Sequence, residues 1–326
     1  MHLLINDLRP IQDYLQNISW LNPNENIAKI EKAGEGNMNF TVRVITNDRS
    51  FILKQARPYV EKYPQIPAPD MRAVIEGRFY QKIEQFDSIA SLMPQLMRVD
   101  EANKILILED LGQANDYTYL YQSDQAISAA DIQSLVHYLA MLHQLAYEEI
   151  PPINFENRAM RQLNHEHIFI YPFLENNGID LDAVTASLQQ ISMAYKVDIK
   201  LKNTIIELGH HYMADGHSLL HGDFYPGSWL HTAQGIKIID PEFCFYGMPE
   251  FDLGVMIAHL MLAQQDEATI KMVYQCYGSI KNPQLLDQFT GVEIMRRLLG
   301  VAQLPLSLSL FDKEELLEQA YELIMG

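Results

Sequence analysis

The sequence predicts an α+β fold in two lobes: a small lobe with an antiparallel β-sheet and one crossing helix, and a larger, mainly α-helical lobe. Up to residue 112, short alternating or β-branched runs are separated by turn residues, as is typical of strands. After residue 113, apolar residues recur at helical spacing. Because 326 residues exceed one average domain, we expect an N-terminal lobe over residues 1–112 and a C-terminal lobe over 113–326.

The composition limits the classes of partner. The formal net charge is −18, from 24 basic and 42 acidic residues, and no long basic run occurs, so no nucleic-acid partner is expected. No apolar run approaches a membrane span, and residues 1–7 lack the features of a signal peptide. We therefore expect a cytoplasmic protein without a membrane partner. Cys244 and Cys276 are expected to be buried apolar residues.

The small lobe begins with a predicted helix over residues 7–20, whose apolar positions recur at helical spacing. Strands are predicted over residues 27–32, 40–45 and 50–54, the last two joined by a turn at Asn47 and Asp48. After a helix over residues 71–86, two more strands complete a sheet of about five. They are predicted over residues 92–99 and 104–108.

A glycine loop separates the first two strands and contains Gly34, Gly36 and Asn37. Glycine has no Cβ, so backbone N–H groups in such a loop can approach phosphates, although a plain hairpin turn is the alternative. Lys54, at the end of the third strand, could reach the α- and β-phosphates of a nucleotide. Glu76, in the following helix, would form the ion pair that aims this lysine, unless it is an ordinary surface glutamate.

A hinge over residues 109–112 ends the run of strands and offers backbone groups to an adenine. The larger lobe then contains predicted helices with apolar faces. We expect Ser128 to cap the first of them, His143 to be structural, and Asp252 to cap a helix or brace a loop. The helices are predicted over residues 131–147, two within 181–213, 251–262, around 293–300, and 312–325.

The rest of the chain is organised around residues 221–228 and 238–243, which flank a predicted hairpin turned at Ala233–Gly235. The hairpin would bring Asp223 close to Asp240 and Glu242. If residues 240–242 are extended, the last two carboxylates point to one side and could share a Mg²⁺ ion. Asp223 would then be left to accept the proton of an attacking hydroxyl, the arrangement used in phosphoryl transfer. The alternative is that these acids lie on ordinary polar loops.

With these residues laid out, the chain resembles the aminoglycoside-phosphotransferase and choline-kinase superfamily, whose fold is protein-kinase-like. Within it, the motifs are similar to those of methylthioribose kinases. Residues 221–228 look like the catalytic loop, with Gly227 and Ser228 standing where most relatives have an asparagine, and residues 240–247 look like the metal-binding segment. Residues 295–302 are similar to a segment whose arginine pair serves the acceptor side.

The resemblance implies an ATP- and Mg²⁺-dependent kinase for a small-molecule hydroxyl acceptor, and a possible homodimer. The implied reaction converts 5-methylthioribose to its 1-phosphate in methionine salvage. It assigns proton acceptance to Asp223, metal binding to Asp240 and Glu242, nucleotide binding to Gly34, Gly36, Asn37, Lys54, Glu76, Glu109 and Leu111, and acceptor binding to Arg296, Arg297, Tyr63 and Ser228.

Two departures from the family pattern concern the acceptor. Residues 224–226 are Phe-Tyr-Pro where the family usually has Leu-His-Thr, and the segment 59–69 is shorter than the loop that carries a substrate-covering tryptophan. Tyr63 would take the place of that tryptophan. These changes leave two alternatives: a kinase for another sugar or an amino-alcohol, and a nucleotide-binding regulatory protein without catalysis.

Overall fold

The computed structural model describes residues 3, 8–34, 36, 38–145 and 155–326. The chain separates into two compact units, residues 1–114 and residues 115–326. The predicted boundary lies after residue 112. Each unit has its own apolar cluster. Strands dominate the first unit and helices the second, so the predicted α+β class is confirmed.

The first unit is built on a five-stranded antiparallel sheet, as the sequence predicts. The alternation of the second strand buries Val42 and Val44 on one face, where they pack with Ile11 and Leu15 of the first helix. In the sheet the strands lie in the order β1-β2-β3-β7-β6. Their bounds are β1 Ile27–Lys32, β2 Phe40–Thr46, β3 Ser50–Gln55, β6 Leu96–Asp100 and β7 Ile105–Glu109.

Three helices and a small hairpin complete this unit, with bounds α1 Leu8–Asn17, β4 Tyr59–Val60, β5 Tyr63–Pro67, α2 Arg72–Ile83 and α3 Asp87–Ala90. The sequence did not predict the β4–β5 hairpin or α3. The strand expected over residues 92–99 begins only at Leu96. Residues 91–93 instead close turns onto the end of α3, and Pro94 has no N–H for a sheet ladder.

The second unit is mainly helical, and α8 is buried almost all round, as expected for a helix whose residues are nearly all apolar. Ser128 caps α4 by accepting the N–H of Asp131 at 3.1 Å, which confirms its predicted role. The end of the helix predicted over 131–147 lies outside the described residues. The helices are α4 Ala129–His143, α5 Arg158–His165, α6 Leu188–Lys196, α7 Ile199–Met213, α8 Glu250–Leu262, α9 Glu267–Tyr277, α10 Pro283–Leu299 and α11 Leu310–Met325.

Short strands hold the loops of this unit. The predicted hairpin is present, with Thr232 opposite Gly235 across its turn. The strand bounds are β8 Asn115–Asp116, β9 Ser218–Leu220, β10 Trp229–Thr232, β11 Gly235–Ile238 and β12 Phe245–Gly247. Single helical turns of 3₁₀ type span Tyr117–Tyr121, Tyr171–Phe173 and Pro226–Ser228, and a π-helical turn spans Glu166–Ile170.

The expectation that both cysteines are buried is wrong for one of them. Cys244 is buried, whereas Cys276 is exposed on α9 because the helix turns that face to solvent. Within the described ranges, none of the helices has the length and apolar character needed to cross a bilayer.

Candidate functional site

The glycine loop of the first unit leaves space around its backbone. Gly34 has φ of +101°, a left-handed conformation that glycine adopts without strain. A Cβ placed on Gly34 or on Gly36 would meet no atom within 4 Å, so these glycines are not required for packing within the chain. That open space fits a loop whose N–H groups approach a phosphate. Asn37 lies outside the described residues, and nucleotide binding by this loop stays a prediction.

Lys54 and Glu76 form the predicted ion pair. The Nζ atom of Lys54 lies 2.9 Å from Oε1 and 2.8 Å from Oε2 of Glu76. The two side chains are 3% and 0% exposed, so each charge depends on the other for compensation. The pair therefore fixes the direction of the lysine amine, which is what a phosphate-binding lysine needs.

Arg72 is a residue of this region whose role the sequence reasoning missed. Its guanidinium is fully buried and donates to the side chain of Asn39 at 2.9 Å and to the carbonyl of Met38 at 2.8 Å. It also donates to the carbonyls of Arg57 and Pro69, both at 2.8 Å. One arginine at the start of α2 thus ties the exit of the glycine loop to the segment after β3. Its place in the first turn of the helix that carries Glu76 is the signal that could have found it.

The other residues of the first unit for which a binding role is predicted lie on separate elements. Glu109 ends β7 and accepts the N–H of Gln95 at 3.0 Å. Leu111 is half-buried, and Tyr63 is 38% exposed on β5. Their contacts with nucleotide or acceptor stay predictions.

In the second unit, the backbone on the N-terminal side of Asp223 is held by Asp252. One carboxylate oxygen of Asp252 accepts the N–H of His221 at 2.7 Å, and the other accepts the N–H of Gly222 at 2.9 Å. Gly222 has φ of +85°, and a Cβ there would lie 2.3 Å from the carbonyl oxygen of Phe243. Only glycine fits this position. The loop-bracing role predicted for Asp252 is confirmed.

Asp252 is itself held by a buried histidine. The Nε2 atom of His143 lies 3.2 Å from Oδ2 of Asp252, and its Nδ1 lies 2.9 Å from the hydroxyl of Tyr277. Because an ionised carboxylate only accepts hydrogen bonds, Nε2 of His143 is the donor. The structural role predicted for His143 is confirmed.

Ser228 closes the same loop from its C-terminal side. It is 2% exposed, and its hydroxyl donates to the carbonyl of Asp223 at 2.9 Å. His221 donates from Nε2 to the carbonyl of Ile239 at 2.9 Å, which ties the loop to the residue before Asp240. The structure therefore shows Ser228 as a loop-closing residue, and its contact with the acceptor stays a prediction.

The condition for two aligned carboxylates, an extended conformation of residues 240–242, is not met. Asp240 has φ of +63°, in the left-handed region that aspartate tolerates better than most side chains. Glu242 lies in a turn, which the N–H of Cys244 closes by donating to the carbonyl of Pro241 at 3.1 Å. The side chains of Asp240 and Glu242 are therefore not aligned by a strand. Local hydrogen bonding of the turn outweighs the extended preference of a residue that precedes proline.

The donor chemistry of this segment still fits a magnesium ion. Glu242 is 5% exposed and Asp240 is half-buried, and both supply carboxylate oxygens. Magnesium in phosphate-binding sites takes one or two carboxylates together with waters and substrate phosphates. No group of three or more His, Cys, Asp or Glu side chains within the described residues is arranged to hold a metal. Magnesium binding by Asp240 and Glu242 therefore stays a prediction.

Two arginines approach this loop from α10. Arg296 and Arg297 are both nearly buried and both bind Glu293, a residue that the sequence reasoning passed over. The Nη2 atom of Arg297 lies 3.5 Å from Oδ1 of Asp223. The guanidinium of Arg297 also lies 5.1 Å from the ring centre of Tyr225. Arg297 is therefore the member of the pair that faces Asp223. The signal for Glu293 is its helical spacing, three and four residues before the two arginines.

Burial and nearby positive charge shift the pKa values of Asp223 and Glu293 in opposite directions. Burial raises the pKa of the Asp223 carboxyl above its ordinary value, and Arg297 and Arg296 offset only part of that shift. Burial would also raise the pKa of Glu293, but Arg296 and Arg297 outweigh it and hold that pKa well below the ordinary value. Asp223 is thus a stronger base than an exposed aspartate, while Glu293 remains an anion.

Phe224, one of the residues that depart from the family pattern, lies in the core. Phe224 is fully buried and stacks on Tyr138, with ring centres 5.7 Å apart and planes 8° apart. It also packs against Trp229, at 5.4 Å between ring centres. Phe224 therefore supports the loop from inside, and Tyr225 is the substituted residue that lies beside Arg297.

The chain belongs to a family of phosphate-transferring enzymes: residues 29–278 match the sequence model of the phosphotransferase enzyme family. This membership confirms the predicted family and supports the prediction of a phosphotransferase.

Individual relatives are methylthioribose kinases. The chain is 28% identical to that of Exiguobacterium sibiricum over 269 residues, which cover 79% of this chain and 64% of the relative. It is 26% identical to that of a Geobacillus species over 339 residues, covering 90% and 83%. It is 28% identical to methylthioribose kinase 1 of Oryza sativa over 250 residues, covering 72% and 56%. The match thus spans less than two thirds of the first and third of these proteins.

Solved structures of low sequence identity share the fold. A spectinomycin phosphotransferase bound to AMP superposes with a TM-score of 0.57 at 14% identity, covering 98% of both chains. A choline kinase from Streptococcus pneumoniae superposes with a TM-score of 0.52 at 13% identity, covering 97% of this chain and 98% of that one. These likenesses confirm the predicted kinase-like fold.

Proposed function

We propose that the protein is an ATP- and Mg²⁺-dependent kinase that phosphorylates the 1-hydroxyl of 5-methylthioribose. The observation that carries the proposal is the setting of Asp223. This carboxylate, whose side chain is 23% exposed, follows a loop braced by Asp252 and faces the guanidinium of Arg297 at 3.5 Å. A carboxylate held in this way, with its pKa raised by burial, suits the acceptance of a proton from a hydroxyl.

The first unit would bind the nucleotide. Lys54, aimed by Glu76, would bind the α- and β-phosphates, and the N–H groups around Gly34 and Gly36 would approach the phosphates through the space that the missing side chains leave. Backbone groups between Glu109 and Leu111 would take the adenine. These residues position the donor and neutralise its charge, which is most of what phosphoryl transfer requires from a protein.

The second unit would hold the ion and the acceptor. Asp240 and Glu242 would hold Mg²⁺, which when bound neutralises phosphate charge. Asp223 would orient the acceptor hydroxyl and accept its proton as the oxygen forms its bond to the γ-phosphorus. The bond between that phosphorus and the β–γ bridging oxygen breaks, and ADP leaves. Because Asp252 and Ser228 fix the backbone on both sides of Asp223, little reorganisation accompanies this step.

The acceptor is assigned from the relatives and from the charge beside Asp223. Several similar proteins are methylthioribose kinases. Arg296 and Arg297 place two guanidinium groups on the proposed acceptor side, and Nη2 of Arg297 lies 3.5 Å from Oδ1 of Asp223. Such donors suit the hydroxyl oxygens of a neutral sugar and would repel a cationic amino-alcohol. The acceptor contact of Tyr63, the homodimer and the cytoplasmic location stay predictions.

The test is ATP consumption by the purified protein against methylthioribose, ribose, choline, homoserine and an aminoglycoside, with product identified by ³¹P NMR. We expect turnover on methylthioribose and a 1-phosphate product. Turnover on another acceptor alone would overturn the substrate and keep the kinase. If no acceptor is used although Mg-ATP raises the melting temperature, a nucleotide-binding protein without catalysis is the remaining alternative.

A further inference from the structure

We infer that Tyr121, His259 and Glu293 form a relay that positions Arg297 against Asp223, and that all three are positioning residues for phosphoryl transfer. The relay runs from the 3₁₀ turn Tyr117–Tyr121 through α8 to α10. This inference rests on the proposed function.

Glu293 is the centre of the relay because its carboxylate binds three donor side chains. Its Oε1 accepts from Nε2 of His259 at 3.1 Å, from Nε of Arg297 at 2.6 Å and from Nη1 of Arg296 at 3.1 Å. Its Oε2 accepts from Nη1 of Arg296 at 2.9 Å. A carboxylate that binds three donor groups in a dry interior has one orientation available to it. The orientation of Glu293 therefore sets the orientation of both guanidinium groups.

His259 is the third donor side chain on Glu293, and it binds the same oxygen as Nε of Arg297. The ring is fully buried, and its Nδ1 lies within hydrogen-bond distance of the hydroxyl of Tyr121. Since a carboxylate accepts, Nε2 of His259 carries the proton, and Nδ1 is then the acceptor for the hydroxyl of Tyr121. Burial and the charge of Arg297 lower the pKa of His259 to about 4, so the ring is neutral at neutral pH. The relay thus orients Glu293 without adding a third cation.

Arg297 is confined on its remaining sides. The ring of Tyr225 lies 5.1 Å from its guanidinium and 5.1 Å from the ring of His259, so Tyr225 packs against both. Nη1 of Arg297 reaches the carbonyl of Ala302 at 3.4 Å. With Nε on Glu293 and Nη1 on Ala302, Nη2 is the nitrogen that faces Asp223. The geometry thus makes the 3.5 Å approach to Asp223 depend on where Glu293 lies.

The consequence for the reaction is a fixed positive charge beside the base. A guanidinium that cannot turn away favours the ionised form of Asp223 and lies 3.5 Å from one of its oxygens, so that the other remains for the acceptor hydroxyl. Small displacements of such groups have large kinetic effects, since a shift of about 1 Å can cost about 100-fold in rate. Loss of the relay should therefore lower kcat and leave the KM for ATP unchanged.

The test compares three relay variants with a matched control. His259→Leu removes both hydrogen bonds, His259→Gln keeps an N–H donor for Glu293, and Tyr121→Phe removes one hydroxyl. The control is Tyr117→Phe, because Tyr117 is fully buried in the same 3₁₀ turn and its hydroxyl meets Nδ1 of a different histidine, His231, at 3.5 Å. Melting temperatures establish that each variant is folded.

We expect His259→Leu to lower kcat at least about 10-fold with an unchanged KM for ATP, and His259→Gln to restore most of the loss. Tyr121→Phe should lower kcat by about 3-fold and Tyr117→Phe by none. Equal kcat values in wild type and His259→Leu, or an equal loss in the control, would overturn the inference. If His259→Leu does not fold, the comparison of His259→Gln with Tyr121→Phe tests the relay. A lower kcat in Tyr121→Phe with an unchanged kcat in His259→Gln supports the relay, and any other result overturns it.

A crystal structure of each folded variant separates this inference from the proposed function, because it needs no substrate. The relay predicts that the guanidinium of Arg297 leaves Asp223 in the Leu variant or, if that variant does not fold, in Tyr121→Phe, and that it stays in Tyr117→Phe. An unmoved Arg297 in the relay variant would overturn the relay whatever the enzyme phosphorylates. A moved Arg297 in a protein that is inactive on every acceptor would support the relay and count against the proposed function.

Discussion

Two arrangements of the same three side-chain types support Asp223 from different directions. In one, Tyr277 contacts Nδ1 of His143, whose Nε2 binds Asp252. In the other, a tyrosine contacts Nδ1 of His259, whose Nε2 binds Glu293. We call them the backbone relay and the arginine relay, because the first carboxylate binds two peptide N–H groups and the second binds two guanidinium groups.

The difference teaches that the partner of the carboxylate decides what a Tyr–His–carboxylate arrangement does. Peptide N–H groups are neutral and belong to the loop itself, so the backbone relay determines the path of the chain into Asp223. Guanidinium groups are charged and sit on long side chains, so the arginine relay determines the electrostatic field beside Asp223. Both are needed for a carboxylate that must be placed and also kept ionised.

The largest effect should come from the residue on which both relays converge. Asp223→Asn keeps the shape but cannot accept a proton, and we expect kcat to fall by about 10²- to 10⁴-fold while Mg-ATP still raises the melting temperature. In this background, His259→Leu should cause no further loss of kcat, because the two changes act on one step. Full turnover by purified Asp223→Asn would remove this residue, and the catalytic consequence of both relays, from the mechanism.

The arginine relay should make stability depend on pH. His259 faces Glu293, Arg296, Arg297, Tyr121 and Tyr225, and its pKa lies at about 4 when folded, against about 6.5 when unfolded. Between pH 4 and pH 6.5 the unfolded chain binds a proton at this histidine and the folded chain does not. The contribution of His259 to the unfolding free energy is therefore fully present above pH 6.5 and decreases as the pH falls toward 4. The shift corresponds to about 3 kcal/mol of unfolding free energy.

Urea unfolding of wild type and His259→Gln at several pH values between 4 and 7 would measure this term. The difference in unfolding free energy between the two proteins should change across that window. If the unfolding free energies of the two proteins change in parallel with pH, the pKa of His259 does not differ between the folded and unfolded states.

A substitution in the backbone relay should lower both the unfolding free energy and kcat. In Asp252→Asn, an amide N–H₂ would face one of the peptide N–H groups of His221 or Gly222, leaving a buried donor unpaired. We expect a loss of about 1–3 kcal/mol of unfolding free energy and a lower kcat. Asp266→Asn is the control, since this exposed carboxylate caps α9 and asparagine caps equally well. Equal melting temperatures for wild type and Asp252→Asn would contradict the bracing role.

The smallest effects should distinguish the two relays at their outer ends. Tyr277→Phe and Tyr121→Phe each delete one hydrogen bond to a histidine, worth about 1 kcal/mol of unfolding free energy. We expect Tyr121→Phe to lower kcat more than Tyr277→Phe, because it acts through Arg297 while the other acts on a loop that Asp252 still braces. Kinetics and denaturation measured on the same samples would show this, and the reverse order of kcat would reverse the assignment of roles.

Much of the fold could be predicted because its causes are local. Alternation with a period of two marks the strands around Lys54, and helical spacing marks the segments after residue 113. The hairpin between Asp223 and Asp240 follows from two short apolar runs around a glycine turn. The Lys54–Glu76 pair was predictable as well, since the residue types and their elements were both visible in the chain.

Other features could not be predicted because the local sequence is compatible with more than one backbone conformation or degree of burial. The carboxylates of Asp240 and Glu242 would share one side if residues 240–242 were extended, yet Asp240 is left-handed and Glu242 lies in a turn. Likewise, Cys276 was expected inside and lies at the surface. In both cases the composition of the segment is compatible with either state, and packing around it selects one.

By itself, then, the sequence determined the order of strands and helices, the loop that carries Asp223 and the family to which the chain belongs. Only the tertiary structure decided which arginine faces Asp223 and which acids hold the loop and the arginines. Asp252 is some thirty residues from the backbone that it braces, and His259 is 138 residues from Tyr121. The physical reason is that a helix such as α8, buried on all sides, shows no polar face, so the partners of its few polar groups are set by packing alone.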